Sequence, residues 1–69
     1  MPQTFIDWEL VESRECGPYR YDIMHVKTAE HVKLYRGRVF FAKGGDYWLE
    51  GDSKDALRMS LITLGQQRA

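Results

Sequence analysis

The sequence predicts a small α+β domain, an antiparallel sheet of about four strands packed against one C-terminal helix. Three observations predict it: an apolar/polar alternation over residues 4–12, a Gly44-Gly45 pair between two short aromatic segments, and a helical stripe of leucines after Ser53. At 69 residues the chain is long enough for one core and too short for two, so residues 1–69 are read as a single domain.

In the first segment Ile6, Trp8 and Leu10 share one side and Asp7 and Glu9 the other, the period of a half-buried strand. Residues 13–18 carry the Gly17-Pro18 punctuation of a turn. Residues 19–27 (YRYDIMHVK) are rich in aromatic and branched side chains, yet the apolar side switches from Tyr19, Tyr21 and Ile23 to Met24 and Val26. A β-bulge near Ile23-Met24, or burial on both faces, accounts for the switch.

Residues 31–36 fit two readings. As a strand they return around Thr28-Ala29-Glu30, with Met24 and Val26 facing Val32 and Leu34. As a helix they have Thr28 as N-cap and Gly37 as terminator. The strand is preferred, and the helix stands beside it. Segments 38–43 and 46–50 flank Gly44-Gly45, which predicts a hairpin with a two-residue glycine loop.

Gly51 then ends the strand, Asp52 or Ser53 caps a helix over residues 53–64, and Asp55 sits where a negative charge favours the helix dipole. Gly65 is expected to close that helix and residues 66–69 to fray. At 100° per residue Leu57, Ser60, Leu61 and Leu64 form the packing stripe, with Met59 and Ile62 on the far side. The predicted core is Ile6, Trp8, Leu10, Val39, Phe41, Leu57, Leu61 and Leu64.

Ten Lys and Arg balance ten Asp and Glu, which removes long-range steering toward polyanions. The charge is nonetheless zoned: residues 1–15 and 44–57 are acidic, and residues 16–43 are basic. Pairing of neighbouring strands neutralises such zones locally. MPQTFIDWELVES has neither the basic start nor the apolar run of a signal peptide, and no stretch has the length of a membrane span. With a single cysteine, Cys16, excluding an internal disulfide, a cytoplasmic location is the expectation.

Chemistry finds little to stand on. Cys16 with His25 or His31 is the sole nucleophile–base combination, and a thiolate mechanism also needs a third group to orient the imidazole. One Cys and two His fall short of a closed zinc site. The acid groups Asp7/Glu9 and Asp46/Glu50/Asp52 read as solvated edges, because a chain this short cannot surround a substrate. Lys43-Gly44-Gly45-Asp46 matches no phosphate-binding fingerprint. No enzyme, cofactor or metal is expected.

What remains is a binding surface. The first reading is a protein-binding module, a regulator or inhibitor of a size common in phages and mobile elements, contacting its partner through Met59, Ile62, Tyr47 and Trp48. A homodimer through the helix would also supplement a thin core. The second reading is nucleic-acid binding through Arg20, Lys33, Arg36, Arg38 and Tyr35 on a basic, aromatic sheet face. The order of basic strands and helix over residues 19–64 resembles that of integrase-arm DNA-binding domains; no motif is shared, so no function is carried over.

Overall fold

The computed structural model describes residues 7–27 and 33–69. Four antiparallel strands lie in sequence order across one sheet: β1 (Asp7–Glu15), β2 (Tyr19–Lys27), β3 (Lys33–Phe41) and β4 (Asp46–Gly51). Helix α1 (Lys54–Arg68) packs over β2, β3 and β4 on one side. The predicted α+β class is therefore observed. Residues 33–36 belong to a strand, which excludes the helical reading there, whereas Thr28, Ala29, Glu30, His31 and Val32 lie outside the described residues.

The core forms where α1 crosses the sheet. Tyr19, Tyr21 and Ile23 of β2, Val39 and Phe41 of β3, and Leu57 and Leu61 of α1 make one buried cluster, with Tyr35, Leu49, Ile62 and Leu64 packed against its rim. Full burial of a side chain such as Ile23 or Leu61 contributes roughly 1.5–3 kcal/mol. Cross-strand register explains the membership: Tyr21 pairs with Val39 and Tyr19 with Phe41, so alternate residues of both strands share the helix-facing side.

Two predicted core residues are not in it. Trp8 and Leu10 are 40% and 60% exposed. Their alternation is real, but they pair with Val26 and Met24, whose parity points away from the helix. The register of β1 shifts between Leu10 and Glu12, so Glu12 pairs with Ile23 and turns to the helix side. The irregularity therefore lies at Ile23-Met24, as expected, but the extra residue, Val11, belongs to the facing strand β1; the alternative expectation, burial on both faces, also holds. Strand β2 keeps an unbroken register with β3 and buries residues on both faces: Ile23 on the helix side, and Val26, 2% exposed, on the other. Ile6 lies outside the described residues.

The helix is longer than expected. Ser53 caps it, its Oγ accepting from the Ala56 N–H at 3.3 Å, and Asp55 occupies the first turn. It then runs through Gly65 to Arg68. Gly65 is buried in the helix against the Tyr19 ring, and a Cβ there would penetrate ring atoms. It therefore permits close packing instead of terminating the helix. The buried stripe is Leu57, Leu61 and Gly65, spaced by four; Ser60 is exposed, and Ile62 packs on the core instead of standing on the far side.

Gly37, the terminator in the helical reading, lies in the middle of β3 beneath Leu61, and an added Cβ would come within 2.5 Å of Leu61 Cδ1. The second hairpin is also wider than predicted. Strand β3 ends at Phe41, and residues 42–45 connect it to β4. The Gly44 N–H donates to Phe41 O at 3.0 Å and the Phe41 N–H to Gly45 O at 3.1 Å. Gly44 and Gly45 have φ of 109° and 95°, the positive region for which glycine is suited.

Candidate interaction surface

The side of the sheet away from α1 carries an alternating row of rings and guanidinium groups. Antiparallel register puts Trp8, Leu10, Met24, Val26, Leu34, Arg36, Arg38, Phe40, Trp48 and Glu50 on this side. The Arg36 guanidinium lies 4.3 Å from the Trp8 ring centroid and 5.8 Å from that of Trp48. Arg38 lies 4.7 Å from Trp48 and 4.2 Å from Phe40, and Arg20 lies 4.6 Å from Phe40. The row thus reads Trp8, Arg36, Trp48, Arg38, Phe40, Arg20 across all four strands. Each such contact contributes roughly 0.5–1 kcal/mol where solvent reaches it.

Two of the three cations of this row are ion-paired. Arg36 donates through Nε to Glu50 Oε1 at 3.0 Å and approaches the same oxygen through Nη2 at 2.7 Å. Arg38 donates through Nε to Asp46 Oδ2 at 2.6 Å, with Nη2 also 2.6 Å away. Asp22 accepts from the Ser13 hydroxyl at 2.6 Å. Register places Arg20, Arg36 and Arg38 on this face together with Glu15, Asp22, Asp46 and Glu50. Among the described residues this face therefore carries three cations and four carboxylates. Arg36–Glu50 and Arg38–Asp46 each join the basic zone of the sequence to an acidic one across neighbouring strands.

The residues expected to bind a partner are dispersed. Trp48 is on the helix-free face, 49% exposed. Tyr47 is on the helix side at the β4 edge, edge-on to Phe41 at 5.9 Å with the Arg68 guanidinium 5.1 Å from its ring. Met59 is 62% exposed on α1 beside a groove that Leu49 and Leu64 also line, and Ile62 is partly buried. The residues of the nucleic-acid reading divide as well. Arg20, Arg36 and Arg38 share the open face, whereas Tyr35 is on the helix side, its ring 5.0 Å from that of His25. The Lys33 side chain lies outside the described residues.

A second polar cluster sits at the β1 bulge and was not foreseen. Arg58 of α1 donates through Nε and Nη2 to Glu12 Oε2 and Oε1, both at 2.7 Å, and through Nη1 to Asp55 at 2.9 Å. The Tyr21 hydroxyl donates to Glu12 Oε2 at 2.7 Å. The Arg58 guanidinium, followed by the Tyr21 hydroxyl, lowers the Glu12 carboxyl from 4.5 to about 2. Burial first and then the Glu12 carboxylate push Tyr21 above its ordinary value, and the Glu12 contact raises Arg58. A carboxylate held this acidic is a poor proton acceptor at neutral pH. The cluster fastens α1 to the edge strand. The signal for it is the acidic residue that the bulge turns to the helix side, which is invisible without the register.

Cys16 and His25 are not brought together. Cys16 adjoins Tyr19 at one end of β2, where its N–H donates to Tyr19 O, and His25 is about 20 Å of strand away. Among the described residues no group of three or more His, Cys, Asp and Glu is placed to hold a metal, and no helix is long and apolar enough to cross a membrane. No family model matches the chain, nor does any curated protein or solved structure.

Proposed function

We propose that this chain is a non-enzymatic protein-binding module that acts by surface contact, as a regulator or inhibitor does, through the helix-free face of its sheet. The observation that carries this reading is the row of Trp8, Arg36, Trp48, Arg38, Phe40 and Arg20, with Arg36 and Arg38 paired to Glu50 and Asp46. Tryptophan and arginine are the residue types that concentrate binding energy at protein interfaces. The ion pairs and ring contacts hold the long arginine side chains in place before contact, which lowers the ordering cost of association.

The balance of charge on this face favours a protein over a nucleic acid, whose binding draws mainly on unpaired cations facing phosphates. Free Cys16 suits a reducing compartment such as the cytoplasm. The test compares affinity capture from the native host by the wild type and by Trp48→Asp, both checked for folding by circular dichroism. Partners retained by the wild type and lost by the variant are the expected result; equal capture removes the sheet face as the contact surface. Short duplex and single-stranded oligonucleotides bind more weakly than about 10⁻⁴ M at physiological salt on this reading. Tighter binding that falls steeply with salt transfers the face to the nucleic-acid reading.

A further inference from the structure

We infer that the outer edge of β4 takes up an extended peptide segment of a partner protein, which adds a further antiparallel strand and sets alternate side chains into the groove between β4 and α1. This site is separate from the helix-free face and does not depend on it.

The unpaired backbone of the edge specifies an extended ligand. Among the described strands β4 pairs with β3 alone, in an unbroken register. The Phe41 N–H donates to Gly45 O, so in the alternation of an antiparallel ladder Tyr47 and Leu49 direct their backbone groups at Val39 and Gly37. The N–H and C=O groups of Asp46, Trp48 and Glu50 therefore point outward, and among the described residues they have no partner. A row of donors and acceptors at this spacing is matched by another extended chain.

The two edges of the sheet differ in how they are guarded. Open edges are ordinarily blunted by bulges and by charges. Strand β1 has both, the bulge between Leu10 and Glu12 and acids at Asp7, Glu9 and Glu15. Strand β4 has no bulge, and its acids Asp46 and Glu50 are drawn to Arg38 and Arg36 of β3, away from the open edge. Between them lies the apolar run Tyr47-Trp48-Leu49.

The groove then selects side chains. Register puts Tyr47 and Leu49 on the helix side of β4. Leu49 lines a cavity of about 400 Å³ with Met59 and Leu64. Two residues back along the strand, Tyr47 lines one of about 550 Å³ with Lys43 and Arg68, and the Arg68 guanidinium lies 5.1 Å from the Tyr47 ring. Among the described residues neither Lys43 nor Arg68 is ion-paired, and Asp46, at the same cavity, is held by Arg38. Opposed residues of antiparallel strands share a face, so a strand running against β4 sets one residue beside Leu49 and, two positions later, another beside Tyr47. The first is aliphatic and meets Met59, whose flexible thioether adapts to it. The second is acidic and meets Arg68 and Lys43. The ligand is thus an extended segment of the pattern aliphatic, any residue, acidic.

The probe is the peptide acetyl-Thr-Thr-Leu-Thr-Glu-Thr-Thr-amide, titrated into the isotopically labelled full chain and followed by backbone amide NMR shifts. Binding at about 10⁻⁴ M or tighter is expected, with shifts over residues 46–51 and 59–68. Methylating the amide nitrogen of the threonine between leucine and glutamate, which faces Trp48, is expected to weaken binding by roughly tenfold or more. Methylating that of the glutamate, which faces away from β4, is expected to leave it unchanged. Met59→Asp should weaken binding by roughly tenfold. Arg68→Glu should reverse, by roughly fivefold, the preference for this peptide over one with lysine in place of glutamate, and its capture of the lysine peptide shows that the variant folds.

Binding weaker than about 10⁻³ M overturns the inference. So does binding indifferent to which nitrogen carries the methyl group, or shifts centred on Trp8 and Arg36. A chain that sediments alone as two copies, with the amides of β4 protected from exchange only in the dimer, gives the edge to a second copy and overturns it as well.

Discussion

On the helix side of the sheet Tyr21, Ile23 and Val39 are fully buried beneath Leu61, whereas on the other side Trp8 and Trp48 stay half in solvent with Arg36 between them. The same strands build both surfaces, and alternate residues of β2 and β3 supply them. What differs is the means of closure. The helix side is closed by volume: Leu61 descends onto Gly37, and the Tyr19 ring reaches the backbone at Gly65. On the open side, apart from the enclosed Val26, the contacts described are between guanidinium groups and rings and ion pairs that water still reaches, which are worth less individually. The first face therefore specifies the fold, and the second is available for recognition.

The sharpest break in this comparison is Leu61→Ala, which removes a fully buried side chain and is expected to cost roughly 2–5 kcal/mol in urea unfolding. Gly65→Ala comes next, at roughly 1–3 kcal/mol, because the Tyr19 ring must shift to admit a methyl group. Helix propensity alone would make this change stabilising. A gain in stability would show that the approach of Tyr19 does not constrain α1.

Glu12→Gln tests the fastening between α1 and β1. In the folded chain Glu12 titrates at about 2 instead of 4.5, so its contribution is full above pH 4.5 and disappears as pH falls through about 2. Because solvent screens this partly exposed pair, the loss at neutral pH is expected to be no more than about 1 kcal/mol. The variant's acid-unfolding profile should be flatter than the wild type's between about pH 4.5 and 2; parallel profiles would assign the acid sensitivity to other carboxylates. The smallest effect is expected from Trp48→Ala, which should cost less than about 1 kcal/mol of stability because the ring is half exposed and lies against two guanidinium groups that solvent reaches. A loss as large as that of Leu61→Ala would place Trp48 in the core.

Much of the fold was legible in the sequence. The strand periods, the glycine-bearing second hairpin, the Ser53 cap and the leucines at 57 and 61 are local signals, and each led to the observed element. Trp8 and Leu10 were misplaced because alternation reveals two faces without revealing which one the helix covers. The candidate site was less legible: Trp48, Arg20, Arg36 and Arg38 were singled out under two competing readings, and their assembly into one row depends on cross-strand neighbours. The Glu12–Arg58 contact joins residues 46 positions apart, beyond the reach of any local pattern.

The sequence by itself determined the elements, their order and the absence of a disulfide, because backbone periodicity, turn chemistry and cysteine count act over a few residues or over composition. Tertiary structure decided which face α1 covers, that a bulge after Leu10 turns Glu12 inward, and that Gly37 and Gly65 are points of close approach. These depend on registers and distances between elements, and a one-residue slip in a strand exchanges its faces without changing the pattern from which that strand is predicted.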